Sequence, residues 1–311
     1  MCLFIIACLI SLFSFSLSSC RQEVQKTNVA YVDFPRTIEL KARVIPQDSI
    51  LFRYPFRVHV QGDKVVVMDL HATEYFFHAF RYPDFQYLTS FGKRGDAPEE
   101  ILSAENFRWN GFLWMLDAGK SKLTRLSFTL SGDSLLRTEV VSLDKEILRA
   151  LDFVQYDDST FIIPDYSGDS RFCWVNRQGK LHRKTGTIPT TNEDALNNAC
   201  PALAQAWRSF IDYNPRNGVL AAVTQLGEVL EIYNLKDSTH IVRVGPCGEP
   251  DFKVSQGYGI PTGIMGFSDV QVTDNAIYAV FHGRSFKEIA QSARSGINLP
   301  DGGQYIYVFS L

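Results

Sequence analysis

Three aspartates, Asp69, Asp117 and Asp165, recur 48 residues apart, each closing a short apolar run: VVVMD (65–69), FLWMLD (112–117) and TFIIPD (160–165). VLAAVT (219–224) and AIYAVF (276–281) continue the series. Each run is preceded by another: FRVHV (56–60), NFRWN (106–110), LDFVQY (151–156), FIDYN (210–214) and DVQVT (269–273). YFFHAF (75–80), LTRLSF (123–128), RFCWVN (171–176) and VLEIYN (229–234) follow, the first three starting six residues after the aspartate, the length of a tight hairpin. YLTSFG (87–92), TEVVSL (138–143), LHRKTG (181–186) and HIVRVG (240–245) close the units. The runs are rich in Val, Ile, Phe and Tyr and are separated by Gly, Asp, Asn and Pro, which makes them strands rather than helices.

Four antiparallel strands repeating every 40–50 residues specify an all-β chain, and specifically a β-propeller. One blade cannot cover both of its apolar faces, so each leans on the next. A β-sandwich would impose no such regularity on loop length. Five blades are recognisable. In the fifth, an insertion (282–304) separates AIYAVF from YIYVFSL (305–311) and no fourth strand follows. Two expectations follow: TIELKARVI (37–45) supplies the missing strand and closes a five-bladed ring, or the chain derives from a six-bladed form without its last blade. Sheet closure of the first kind would remove two exposed edges.

The first nineteen residues carry no Lys, Arg, Asp or Glu, and their apolar stretch (3–17) is shorter than the roughly 20 residues a membrane span needs. It ends in Leu17-Ser18-Ser19-Cys20, which resembles a bacterial lipobox. The pattern predicts a signal peptide (1–19), lipidation of Cys20 with palmitate-type chains, a linker (20–35) and a propeller (36–311). The protein is then expected in the cell envelope, held to the outer membrane by several acyl chains.

A net charge of −3 without long single-sign runs excludes a nucleic-acid footprint. Beyond Cys20 lie Cys173, Cys200 and Cys247, an odd number that allows at most one disulfide. There is no Gly-x-Ser-x-Gly elbow and no Cys-x-x-Cys, and Gly257-Tyr258-Gly259 with Gly263 departs from the dinucleotide fingerprint. His59, His71, His78 and Glu74 fall on a strand, a loop and a further strand, so alternation of faces predicts no common metal. Asp69, Asp117 and Asp165 fit Asx-type turns better than a calcium ring. No catalytic residue, metal or cofactor is therefore expected.

Function is sought instead in two interruptions of the strand pattern, 192–208 and 282–304, since long insertions on a propeller shape one rim. Trp207, Tyr258 and Phe286 are candidate stacking platforms, and Arg284 a polar contact. These suit a non-catalytic binding or scaffold protein engaging a glycan, peptide or protein partner. The alternative is a propeller enzyme, a metal-assisted lactonase or lyase, using channel groups on the first strands: Asn106, Asp152, Asp212 and Asp269.

Several segments carry a family resemblance. The lipobox, FGKRGDAPEE (91–100), YNPRNG (213–218), VLEIY (229–233) and AIYAVFHGR (276–284) together resemble the TolB-like, six-bladed-propeller lipoproteins of Bacteroidetes. The likeness spans essentially all of the chain after Cys20. It departs at Gly95-Asp96-Ala97-Pro98, where relatives read Gly-x-Gly-Pro-x-Glu, and after the fifth blade, where relatives continue. The resemblance implies the fold and brings no catalytic residues with it.

Overall fold

The computed structural model describes residues 26–46, 49–132, 134–297, 299 and 303–311. The expected signal peptide and Cys20 lie outside them. Blade 1 is β2 (Pro55–Gln61), β3 (Lys64–Asp69), β4 (Tyr75–Arg81) and β5 (Gln86–Lys93), after a short β1 (Lys26–Ala30). Blade 2 comprises β6 (Ala104–Asn110), β7 (Phe112–Asp117), β8 (Lys122–Phe128) and β9 (Leu135–Ser142). Blade 3 comprises β10 (Val154–Asp157), β11 (Thr160–Pro164), β12 (Phe172–Asn176) and β13 (Leu181–Thr185). Helices α1 (Glu193–Asn198) and α2 (Cys200–Ala206) lead into blade 4, which holds β14 (Ser209–Asn214), β15 (Val219–Thr224), β16 (Val229–Asn234) and β17 (Thr239–Val244). A hairpin of β18 (Phe252–Ser255) and β19 (Tyr258–Pro261) precedes blade 5: β20 (Phe267–Val272), β21 (Ala276–Phe281), helix α3 (Phe286–Ser295) and β22 (Tyr305–Ser310). The strands of each blade pair antiparallel in chain order.

Alternation of side chains explains the stacking. In β7, Leu113 and Met115 join blade 1's Val66, Met68 and Phe77, while Trp114 and Leu116 join blade 3's Phe161 and Ile163. Leu220 and Ala222 of β15 likewise face blade 3, and Ala221 and Val223 face blade 5. A middle strand buried on both sides must be apolar at every position, which is why β15 reads VLAAVT without a polar alternate until its last residue. Each fully buried Phe, Leu or Ile contributes about 1.5–3 kcal/mol.

Asp69 and Asp117 do more than turn a hairpin. Asp69 accepts backbone N–H bonds from Arg53 and Tyr54 (both 2.8 Å) as well as His71 (3.2 Å), and Asp117 accepts from Leu102 (3.0 Å), Ser103 (3.1 Å) and Lys120 (3.2 Å). Each carboxylate thus fastens the connection entering its own blade. Asp165 differs, accepting from Ser167 N–H at 3.0 Å and pairing with Lys184 at 3.0 Å.

One expectation is corrected. Residues 37–45 form no strand, and Ile38, Leu40 and Val44 stand 61%, 70% and 85% exposed. Strand pairing by the N-terminal region falls to β1, which runs parallel to β17 on the rim of blade 4. Tyr31 then donates to the buried Glu228 carboxylate (2.9 Å), and Phe34 packs on Tyr307 (4.5 Å between centroids). These contacts commit the chain to blade 4 before residue 37, and Pro35 lacks the N–H that a ladder needs. Blade 5 keeps three strands among the described residues. Cys173, Cys200 and Cys247 are all free thiols.

Candidate functional site

The innermost strands converge at the axis. Asn106, Asp152, Asp212 and Asp269 meet there, and Arg57 of β2 and Arg108 of β6 reach in among them. Arg57 Nη2 lies 2.8 Å from Asp269 Oδ1, and its Nη1 donates to Asn106 Oδ1 at 2.5 Å. Arg108 Nη2 donates to Asp152 Oδ1 (2.8 Å) and to the Ile211 carbonyl, its Nε donates to the Phe153 carbonyl (2.9 Å), and its Nη1 lies 3.6 Å from Asp212. Asp152 is the hub. It also accepts the Asn106 amide and the N–H groups of Phe153 (2.7 Å) and Ile211 (2.9 Å). Four first strands, β2, β6, β14 and β20, and the segment just before β10 are thereby cross-linked by one ionic cluster whose arginines are 3% and 7% exposed.

Electrostatics follow from this crowding. Burial works against the Arg108 charge, but Asp152, Asp212 and Asp269 outweigh it and raise its pKa. Arg57 is shifted down by burial, against the pull of Asp269. Burial pushes Asp212 up to about 6, with Arg108 opposing, and burial beside both guanidinium groups pushes His59 down to about 3. Two fixed positive charges where a divalent cation would have to sit repel it, and the carboxylates are already engaged. The cluster is built to hold blades together.

The other expected site residues separate. Trp207 is 1% exposed and packs with Leu203 and Val229 under α2, so it cannot serve as a stacking platform; this corrects the expectation. An amphipathic helical insertion has to bury its largest apolar side chain. Tyr258 is 58% exposed on β19, and Arg284 is turned toward the Gln304 amide, 2.8 Å from its Nε. Phe286 lines a pocket.

That pocket, about 340 Å³, lies on the face carrying the second-to-third strand turns and the connections between blades. Leu151 and Arg149 come from the β9–β10 connection, Tyr166 from the β11–β12 loop, Gln205 from α2, Arg208 from the α2–β14 joint, and Gln225 and Leu226 from the β15–β16 turn. Gly259, Pro261 and Met265 come from the hairpin region. Both insertions singled out in the sequence contribute. Phe286 is positioned by a capping box: the Ser285 hydroxyl accepts Glu288 N–H (3.1 Å) and the Glu288 carboxylate accepts Ser285 N–H (2.8 Å). Gly259 lets β19 lie against α2, since a Cβ there would stand 2.5 Å from the Ala202 carbonyl oxygen.

A second depression of about 430 Å³ flanks blade 1, lined by Arg53, Asp69, Glu74, His78, Tyr87 and Ser90 among others. His78 Nδ1 and Tyr87 OH both bond Ser90 Oγ, at 2.8 and 2.9 Å. A serine beside a histidine has the look of a nucleophile and its base, but Asp69 is held by three main-chain N–H groups and makes no hydrogen bond to His78 among the described residues. His71 stacks on Tyr54 and His59 meets the edge of Phe107, so the three histidines go to three separate places. No group of three His, Cys, Asp or Glu suited to a metal occurs among the described residues.

Sequence reading missed Arg57, Arg108, Arg149, Tyr166 and Arg208. For the first two a signal existed: each follows a phenylalanine (Phe56-Arg57, Phe107-Arg108) within a first strand, where a charge surrounded by apolar neighbours requires a buried counterion.

Residues 33–311 match the model of the family described as TolB-like 6-blade propeller-like. Among solved structures, a Bacteroides fragilis protein named as an inferred exported protein superposes with a TM-score of 0.53 at 12% identity, over 83% of this chain and 75% of that one. A DUF4221 family member from Bacteroides vulgatus gives 0.43 at 10% identity (76% and 72%). An inferred 6-phosphogluconolactonase from Bacteroides uniformis gives 0.45 at 12% (82% and 74%). At such identities the first shows likeness of fold, and the latter two carry no argument. No curated protein matches significantly.

Proposed function

The chain belongs to the TolB-like 6-blade propeller-like family, and from that premise we propose that it is an exported, lipid-anchored binding protein whose ligand site is the upper pocket rather than the axis. The observation that carries this reading is the division of labour between the two places. The axis spends its polar groups on one another, whereas the pocket at blades 3, 4 and 5 is assembled from six separate connections, three of which interrupt the strand repeat. Loops held on a rigid scaffold are where binding residues concentrate. The partner is a glycan, a peptide or a protein segment small enough to enter a pocket of about 340 Å³.

Export is supported by the uncharged apolar leader and the Leu17-Ser18-Ser19-Cys20 lipobox, in keeping with the export inferred in the name of the Bacteroides fragilis protein of like fold. The alternative, a metal-assisted lactonase or lyase at the channel carboxylates, draws no support from carboxylates bonded to Arg57 and Arg108.

Two measurements test the reading. A fatty-acid probe should label the wild-type chain in a bacterial envelope and not the Cys20→Ser variant; labelling of both, or of neither, refutes the anchor. Hydrogen exchange of the Cys20→Ser chain, with and without hits from a glycan and peptide panel, should show protection at 149–151, 205–208 and 259–265. Protection confined to blade 1 would move the site to the other depression.

A further inference from the structure

We infer that the upper pocket is selective for a hydroxylated ring bearing an oxyanion, a carboxylate or phosphate of sugar size, gripped by Arg149 and Arg208 and stacked against Phe286. This rests on the reading of that pocket as the ligand site and specifies its chemistry.

Charge is the first ground. The residues lining the pocket include two arginines and no aspartate or glutamate, in a chain whose acidic residues outnumber its basic ones by 34 to 31. Arg149 is exposed and makes no ion pair or hydrogen bond among the described residues through its side chain. Its backbone has φ +49°, a left-handed conformation that a non-glycine residue adopts at a cost and that is found disproportionately at ligand-binding positions. Arg208 has one carboxylate near it, Glu105, at a loose 3.5 Å, which leaves donors of its fork uncommitted.

The second ground is the form of the two cations. Tyr166 is 7% exposed and its hydroxyl is buried near the Ser209 N–H, with a pKa that burial raises, so it adds an uncharged wall to the pocket and no competing negative charge. A guanidinium fork recognises planar or tetrahedral oxyanions through two parallel bonds, and Arg149 with Arg208 supplies two forks.

The remaining wall sets the body of the ligand. Gln205 and Gln225 carry amides able to both donate and accept, as hydroxyls require. Phe286, Leu151, Pro261 and Met265 form an apolar wall on which the C–H face of a ring can lie. The volume stands at the lower end of the range for small-molecule sites, which suits a one- or two-ring ligand rather than a long polymer.

The test is calorimetric titration of the Cys20→Ser chain with glucuronate, galacturonate and glucose 6-phosphate, against glucose and galactose at matched ionic strength. At least one acid should bind at least about tenfold more tightly than its neutral parent, and which arm binds distinguishes carboxylate from phosphate. Arg149→Gln, at an exposed position that does not endanger folding, should reduce that affinity about tenfold, and Arg208→Gln should do the same. Equal affinity for neutral and acidic sugars, lost on Phe286→Ala, overturns the anionic assignment and leaves the pocket as the ligand site. Tight binding of an acid that is indifferent to Arg149→Gln, Arg208→Gln and Phe286→Ala overturns the pocket as well. Binding of none of the three acids overturns the proposed ligand class.

Discussion

Asp152→Ala should be among the most damaging single substitutions in the chain, and its cost can be worked from the axial contacts. The carboxylate is 1% exposed, receives Arg108 at 2.8 Å and two main-chain N–H groups at 2.7 and 2.9 Å, and lies 3.9 Å from Arg57. Its removal leaves two buried guanidinium groups with Asp269 and Asp212 alone for compensation. Breaking a buried ion pair by deleting one partner costs about 3–5 kcal/mol, because the surviving charge stays out of water. With an unfolding entropy of about 2.1 cal/mol/K per residue over roughly 280 folded residues, the melting temperature should fall by about 5–8 °C. Asp269→Ala strands Arg57 alone, which keeps Asp152 at 3.9 Å, so its effect should be smaller, near the low end of that range at about 3 kcal/mol. Differential scanning fluorimetry of the two variants beside wild type decides the matter. A fall for Asp152→Ala no larger than that for Asp269→Ala would refute the assignment of Asp152 as the hub that ties the blades.

The pH dependence follows from Asp212, which burial raises to about 6. Its folded pKa exceeds the unfolded value near 3.9, so the native state binds the extra proton between those limits. Its effect on stability is therefore unfavourable above pH 6 and vanishes below about pH 4. Asp212→Asn should accordingly gain stability relative to wild type as pH rises from 4 to 7, measured by urea midpoints, and a gap that stays constant would contradict the shift. Tyr31→Phe deletes the hydrogen bond to the 2%-exposed Glu228 and should cost about 1–2 kcal/mol, with amides of 26–31 exchanging faster in deuterium exchange; unchanged protection there would show that the β1–β17 ladder and Phe34 hold the segment without that bond. Gly259→Ala forces a Cβ to 2.5 Å from the Ala202 carbonyl and should cost about 1–3 kcal/mol, visible as a lower melting temperature, while Gly257→Ala, with open space around its Cβ position, reports only the backbone strain of its φ of +81°.

The blades were legible because a strand buried on both faces leaves an unbroken apolar run, and because Asp69, Asp117 and Asp165 mark the same point in three successive units. The role of two of these aspartates was only half legible. An Asx-type bond within the loop can be read from spacing, but the bonds from Asp69 to Arg53 and Tyr54 and from Asp117 to Leu102 and Ser103 depend on where the preceding connection passes in space. Trp207 and Phe286 show the limit for the site. Both are aromatic residues in insertions, and which one is swallowed by the core depends on the facing of helices six to ten residues long, which composition does not fix. Residues 37–45 show the converse: Ile38, Leu40, Ala42 and Val44 alternate as a strand should, yet alternation creates only the capacity to pair. The pairing itself needs an edge, and β1 had already tied the chain to β17.

Closure of the structure accordingly comes from the inside. A propeller whose last blade takes its outer strand from the N-terminal region joins its ends by a hydrogen-bonded ladder at the rim. In this chain the first and last blades meet instead at the axis, where Arg57 of β2 holds Asp269 of β20 at 2.8 Å, and in the core, where Phe56 packs on the blade 4 and blade 5 cluster. At the rim, the segment that β1 ladders onto blade 4 packs on blade 5 through side chains, Tyr31 to Phe309 and Phe34 to Tyr307. A buried charge network is a weak source of net stability but a stringent one of geometry, since guanidinium and carboxylate groups tolerate little displacement once out of water. An axis whose arginines and carboxylates are engaged with one another offers a ligand few free groups, which is the physical ground for proposing a site in the loops instead.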